Sequence, residues 1–98
     1  RITNNIKIGN FVIVNLNSTI GHDTLVDDFV NISPGVSVSG NVVIQKFVMI
    51  GTGASINQGS DLVKISIGEN TVIGSGSVVV KSCEANSVYV GVPVRKIK

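Results

Sequence analysis

His22 is the only histidine of the chain, and Asp23 follows it directly. An imidazole that titrates near neutral pH can take a proton from a hydroxyl or an amine, and a neighbouring carboxylate can orient its ring. A lone surface histidine is common, and adjacent side chains often point apart, so the pair alone assigns no chemistry. The single cysteine, Cys83, excludes an internal disulfide and is expected in a reducing compartment, which implies a cytoplasmic protein. The basic residues Arg95, Lys96 and Lys98 bunch at the end: a solvated tail, or a docking point for a phosphate-bearing cofactor. A net charge of +2 is too small to argue for nucleic acid, and neither a signal peptide nor an apolar run of membrane length is present.

The elements that must position these residues follow from a repeat. Residues 2, 8, 14, 20, 26, 32, 38, 44, 50 and 56 are all Ile or Val. Four residues after each stand Ile6, Val12, Ser18, Thr24, Val30, Val36, Val42, Val48, Ala54 and Ser60. A period of six fits neither a helix of 3.6 residues per turn nor an alternating strand. It fits a short strand followed by a sharp turn, with small residues filling a narrow interior. Phe11, Phe29 and Phe47 are 18 residues apart, so three hexads make one triangular coil and the rings stack along one corner. The 98 residues therefore form one all-β domain, a parallel β-helix of about five coils. The register breaks once, after Ile56, where residues 60–64 form a five-residue excursion before Ile65 resumes the pattern. The repeat then runs through Ile73 and Val79, with Thr71, Ser77 and Cys83 at the fifth, inward positions, and residues 85–98 form a tail. The sequence opens inside a repeat without Met, which suggests a piece of a longer chain; the first coil, Arg1 to Lys7, is expected to fray or to meet a partner domain.

The sixth position of each hexad faces outward. One face carries Lys7, Leu25 and Val43, the next Ile13, Asn31, Met49 and Val72, the third Thr19, Ser37 and Ser55. The two apolar faces meet at the phenylalanine corner. Two unlike faces meeting at one corner suit a closed heterologous ring, and a three-sided prism suggests a homotrimer around that corner. A monomer with scattered surface aliphatics is the alternative. His22 falls at another corner, in a column with Asn4, Gly40, Gln58 and Lys81, and the 60–64 excursion leaves from that column.

The stretch from Gly21 to Gly35 contains His22-Asp23, then Asp28, Asn31 and Ser33-Pro34-Gly35. It resembles the sialic-acid O-acetyltransferases and the nucleotide-sugar N-acetyltransferases of bacillosamine and perosamine synthesis. Ile50-Gly51-Thr52-Gly53-Ala54, Ile73-Gly74-Ser75-Gly76-Ser77-Val78-Val79 and Gly91-Val92-Pro93-Val94-Arg95-Lys96-Ile97 are similar to later segments of that family. The resemblance implies a left-handed coil and an acetyl-coenzyme A-dependent acetyltransferase acting on a sugar or nucleotide-sugar acceptor. It implies His22 as catalytic base, Asp23 as its carboxylate partner, and cofactor contacts at Asn31, Thr52, Ser75 and Arg95 between subunits of a trimer. Asn31 stands where the family often has His, and relatives carry an N-terminal nucleotide-sugar-binding domain. A three-histidine metal site, as in the carbonic-anhydrase branch of this fold, cannot be built with His22 alone, so no metal is expected. The alternatives are an acyltransferase with a non-sugar acceptor, or a non-catalytic trimeric scaffold.

Overall fold

Val and Ile at every sixth position favour short extended segments, and a left-handed backbone residue ends most of them. The computed structural model describes Ile2 and residues 4–98. The first coil holds β1 (Lys7–Ile8), β2 (Ile13–Val14) and β3 (Thr19–Ile20). The second holds β4 (Leu25–Val26), β5 (Asn31–Ile32) and β6 (Ser37–Val38). β7 (Val42–Ile44), β8 (Met49–Ile50) and β9 (Ser55–Ile56) make the third. β10 (Ile65–Ile67), β11 (Val72–Ile73) and β12 (Val78–Val79) make the fourth, before β13 (Val88–Gly91) and β14 (Val94–Lys96). They stack into three sheets: β1-β4-β7-β10, β2-β5-β8-β11-β13-β14 and β3-β6-β9-β12. All the strand pairs are parallel except β13 with β14. The chain is a left-handed parallel β-helix. Among the described residues, no helix is long and apolar enough to cross a membrane.

Register follows the 18-residue period. Leu25 pairs with Lys7 and Val43, Asn31 with Ile13 and Met49, Ser37 with Thr19 and Ser55. Ile20, Val26, Ile32, Val38, Ile44, Ile50 and Ile56 point inward and are at most 2% exposed. The fifth positions from Ser18 to Ala54 are equally buried, and their polar groups are satisfied. Ser18 Oγ, for example, donates to Ser33 O at 2.7 Å and accepts from Val36 N at 3.3 Å. Ile44→Ala should lower unfolding free energy by about 2–5 kcal/mol, the transfer loss plus a cavity the neighbouring coils cannot close. Denaturant titration measures it; a loss of only a few tenths would mean a loosely packed axis.

Each corner turns through a residue with positive φ. One corner uses Asn5, Asp23 and Asn41, another Asn17, Gly35, Gly53 and Gly76, and the third Phe11, Phe29, Phe47, Asn70 and Asn86. Asn, Asp and Gly tolerate this region; phenylalanine does not, at a cost of roughly 1–2 kcal/mol each. The rings offset that cost in part by stacking, with centroids 5.4 and 5.2 Å apart and planes 8° and 4° from parallel. Phe11, Phe29, Phe47, Ile13 and Met49 form an exposed apolar strip on this corner and its flanking sheet. Ile2 bridges to Ile20 in the first coil, and Ile2 and Ile8 are exposed; Arg1 and Thr3 of that coil lie outside the described residues.

Two coils depart from 18 residues. Val42 pairs with Ile65, 23 residues on, so residues 60–64 leave the coil and Ser60 is exposed rather than inward. In the last coil Cys83 sits opposite Ile67, not at the fifth position that continued periodicity gives it. That coil is two residues short, since Val72 pairs with Val88 and Ile73 with Tyr89. Ser66 N donates to Ser82 Oγ at 2.9 Å, so a side chain stands in for a backbone acceptor where the chain cuts the corner. Cys83 still points inward, and burial pushes its thiol up to about 11, which makes it a core residue and not a nucleophile. Within the tail of residues 85–98, β13 continues the second sheet and β14 folds back on it.

Candidate active site

The corner between β3 and β4 carries Gly21-His22-Asp23-Thr24. Asp23 adopts a left-handed conformation, φ 54°, which turns its carboxylate back towards the preceding side chain. His22 Nδ1 lies 2.9 Å from Asp23 Oδ2, and the two side chains are 44% and 38% exposed. Hydrogen bonding to His22 first, and to Asn5 next, holds the Asp23 carboxyl below the usual carboxylate range. An ionised carboxylate accepts only, so Nδ1 carries the proton in the neutral ring and Nε2 presents its lone pair. Gln58 Nε2 lies 3.5 Å from His22 Nε2 and can donate to that lone pair only through a long, weak hydrogen bond that an incoming group can displace.

The ring rests on the next coil. A Cβ added to Gly40 would stand 2.6 Å from both Cδ2 and Cε1 of His22, so only glycine leaves room for the imidazole. Asn41 N donates to His22 O at 2.8 Å, fixing the backbone beneath the ring. Beside Asp23 opens a groove of about 510 Å³, lined by Asn5 and Lys64 and by the in-register residues Lys7, Leu25 and Val43 of the first sheet. The arrangement can accept a proton at Nε2 and stabilise the imidazolium that results.

Asn31 lies on β5, between Ile13 and Met49, and its Oδ1 is buried without a hydrogen-bond partner. An orphaned amide oxygen of this kind suits a donor arriving from a ligand or a neighbouring subunit. Thr52 and Ser75 are exposed on the corner that leads from the second sheet to the third. Their coils are in register, since Gly76 N donates to Thr52 O at 2.8 Å, and Ser75 lines a small cleft with Ser33, Gly51 and Met49. Arg95 lies on β14, opposite Val90, at the end of the sheet that contains Asn31. A single chain therefore gathers Asn31, Thr52 and Ser75 along one sheet and its edge. It holds His22 and Asp23 on a different corner and does not join the two groups. Gly40, Gln58 and Lys64 complete the His22 corner. The 18-residue spacing of His22, Gly40 and Gln58 put the first two neighbours in one column; no sequence signal marks Lys64, which leaves the excursion.

No family model matches the chain. Solved structures do. WeeI from Acinetobacter baumannii AYE superposes with a TM-score of 0.96 at 41% identity, covering 98% of this chain and 45% of that one. The acetyltransferase domain of PglB from Neisseria gonorrhoeae FA1090 gives 0.86 at 30% identity, over 98% and 53% of the two chains, and it is also solved with acetyl coenzyme A. A truncated serine acetyltransferase gives 0.88 at 26% identity, over 98% of this chain and 42% of its own. The chain thus spans about half the length of the solved proteins it matches. Its repeat, its corners and these likenesses agree: over nearly its whole length the chain is similar to the β-helical portion of solved hexapeptide-repeat acetyltransferases.

Proposed function

We propose that this β-helix is the catalytic part of an acetyl-coenzyme A-dependent acetyltransferase acting on a hydroxyl or amino group of a sugar or nucleotide-linked sugar. The observation that carries the reading is the 2.9 Å contact of His22 Nδ1 with Asp23 Oδ2, which leaves Nε2 on an exposed corner, where Gln58 makes only a long 3.5 Å contact with it. His22 Nε2 takes the proton from the attacking hydroxyl or amine as the new O–C or N–C bond forms at the thioester carbonyl. The tetrahedral intermediate expels the thiolate, the C–S bond breaks, and the imidazolium returns its proton to the sulfur. Asp23 stabilises the imidazolium and holds its ring in place. Direct transfer needs no acyl-enzyme, and the buried Cys83 offers no nucleophile for one.

Acetyl-coenzyme A is the acyl donor, held by Asn31, Thr52 and Ser75, with Arg95 near its phosphates. The orphaned Asn31 Oδ1 fits an amide N–H of the pantetheine arm. Because those residues and His22 lie on separate corners, the site is completed by a homotrimer packed at the phenylalanine corner, which places one copy's Ser75 edge against the next copy's His22 edge. Such a protein works in the cytoplasm, where its donor is made.

Calorimetric titration of acetyl-coenzyme A tests this reading. Wild-type protein should bind, and Ser75→Trp, whose indole fills the corner cleft, should weaken binding at least tenfold, about 1.4 kcal/mol. A folded wild-type trimer that gives no heat would leave the chain as a non-catalytic scaffold.

A further inference from the structure

We propose that Lys64, the last residue of the 60–64 excursion, is a positioning residue that holds Asp23 against His22; this rests on the acetyltransferase reading of that pair. Lys64 Nζ donates to Asp23 O at 3.0 Å and to Asn41 Oδ1 at 3.1 Å. Asp23 occupies a left-handed conformation, in which the aim of its carboxylate depends on the orientation of both flanking peptides. Asp23 N is held by Asn4 O at 3.2 Å, and the peptide on the other side is held by the lysine. Asn41, the second anchor, is itself buried, and its backbone N–H holds His22 O. One ammonium thus ties Asp23 to the residue that also fixes the histidine backbone.

The excursion presents this lysine as a rigid element. Ser60 N donates to Val63 O at 2.9 Å and Val63 N to Ser60 Oγ at 2.9 Å, so the loop closes on itself. Ile65 N then donates to Asn41 O at 3.2 Å, which places Lys64 in the corner column below Asn41 and Asp23. An uninterrupted hexapeptide would set a corner residue in that place; the extra residues deliver a long cation instead. Gln58, two residues before the excursion begins, lies 3.5 Å from His22 Nε2 on the far side of the same imidazole.

The test pairs kinetics with proton NMR of the free protein. Lys64→Met keeps the length of the stem and removes the donor. We expect kcat to fall about 10- to 100-fold, the scale of a misplaced catalytic group, with KM for acetyl-coenzyme A unchanged. The downfield Nδ1–H resonance of His22 should weaken or move upfield, and Lys64→Arg should restore both readings in part. Should Lys64→Met not fold, Lys64→Gln, which keeps an uncharged donor, reports the same resonance. An unaltered His22 resonance together with wild-type kcat overturns the proposal. Wild-type protein without acetyl transfer overturns the functional reading instead, while the resonance still decides the role of Lys64.

Discussion

Replacing His22 with Ala should lower turnover by about 10²–10⁴, the usual contribution of a positioned general base, and leave acetyl-coenzyme A binding intact. The asymmetry follows from geometry. His22 stands on the corner between β3 and β4, whereas Asn31, Thr52 and Ser75 lie on the second sheet and the corner beyond it. The imidazole is nearly half exposed and stacks on a glycine, so its loss opens no cavity in the core. Unfolding midpoints should therefore stay close to wild type. Asp23→Asn is the informative companion, because an amide can donate to Nδ1 and so favour the tautomer that lacks a lone pair at Nε2. Stopped-time assays of acetyl transfer beside calorimetric titration separate the two quantities. Turnover within a few-fold of wild type in His22→Ala would sink the assignment of the base, whatever the cofactor does.

The coil was legible because its interior is narrow. An axis that admits only one aliphatic and one small residue per hexad writes a period of six into the chain, from Ile2 to Ile56, and the pairing of Leu25 with Lys7 and Val43 follows from it. The phenylalanines mark a corner because three bulky left-handed residues hold their place best when they stack. The excursion was legible as a break in that period. The shortened fifth coil was not. Val79 and Cys83 keep the hexad pattern, and only the pairing of Cys83 with Ile67 and of Val88 with Val72, with Ser66 N bonded to a serine side chain, shows that the backbone has slipped by two. At the site, sequence gave the column of His22, Gly40 and Gln58. It could not say that Asp23 turns back towards its neighbour, which depends on φ at one residue. Nor could it say that Lys64 reaches across to Asp23 O, because a lysine in an irregular loop carries no periodic mark.

Gly40→Ala should separate the position of His22 from its presence. At residue 40 the backbone does not lie in the left-handed region, so an L side chain is tolerated there without strain. Removing a glycine then favours folding, by about 0.4–1 kcal/mol, through a less flexible unfolded chain. The added methyl, however, lands on the imidazole, with Cδ2 and Cε1 only 2.6 Å away. The ring is the movable end of a partly exposed side chain, so it swings aside and leaves Asp23 Oδ2 instead of forcing the coils apart. We expect stability equal to or slightly above wild type, unchanged acetyl-coenzyme A affinity, and turnover reduced about 100-fold, as for a catalytic group displaced by an ångström. The double variant His22→Ala/Gly40→Ala tests the cause. If Gly40 acts only by seating the ring, the second substitution adds nothing once the ring is gone, and the two losses are strongly non-additive. Additive losses would mean that Gly40 serves the groove by another route, such as the close approach of an acceptor to the backbone of that corner.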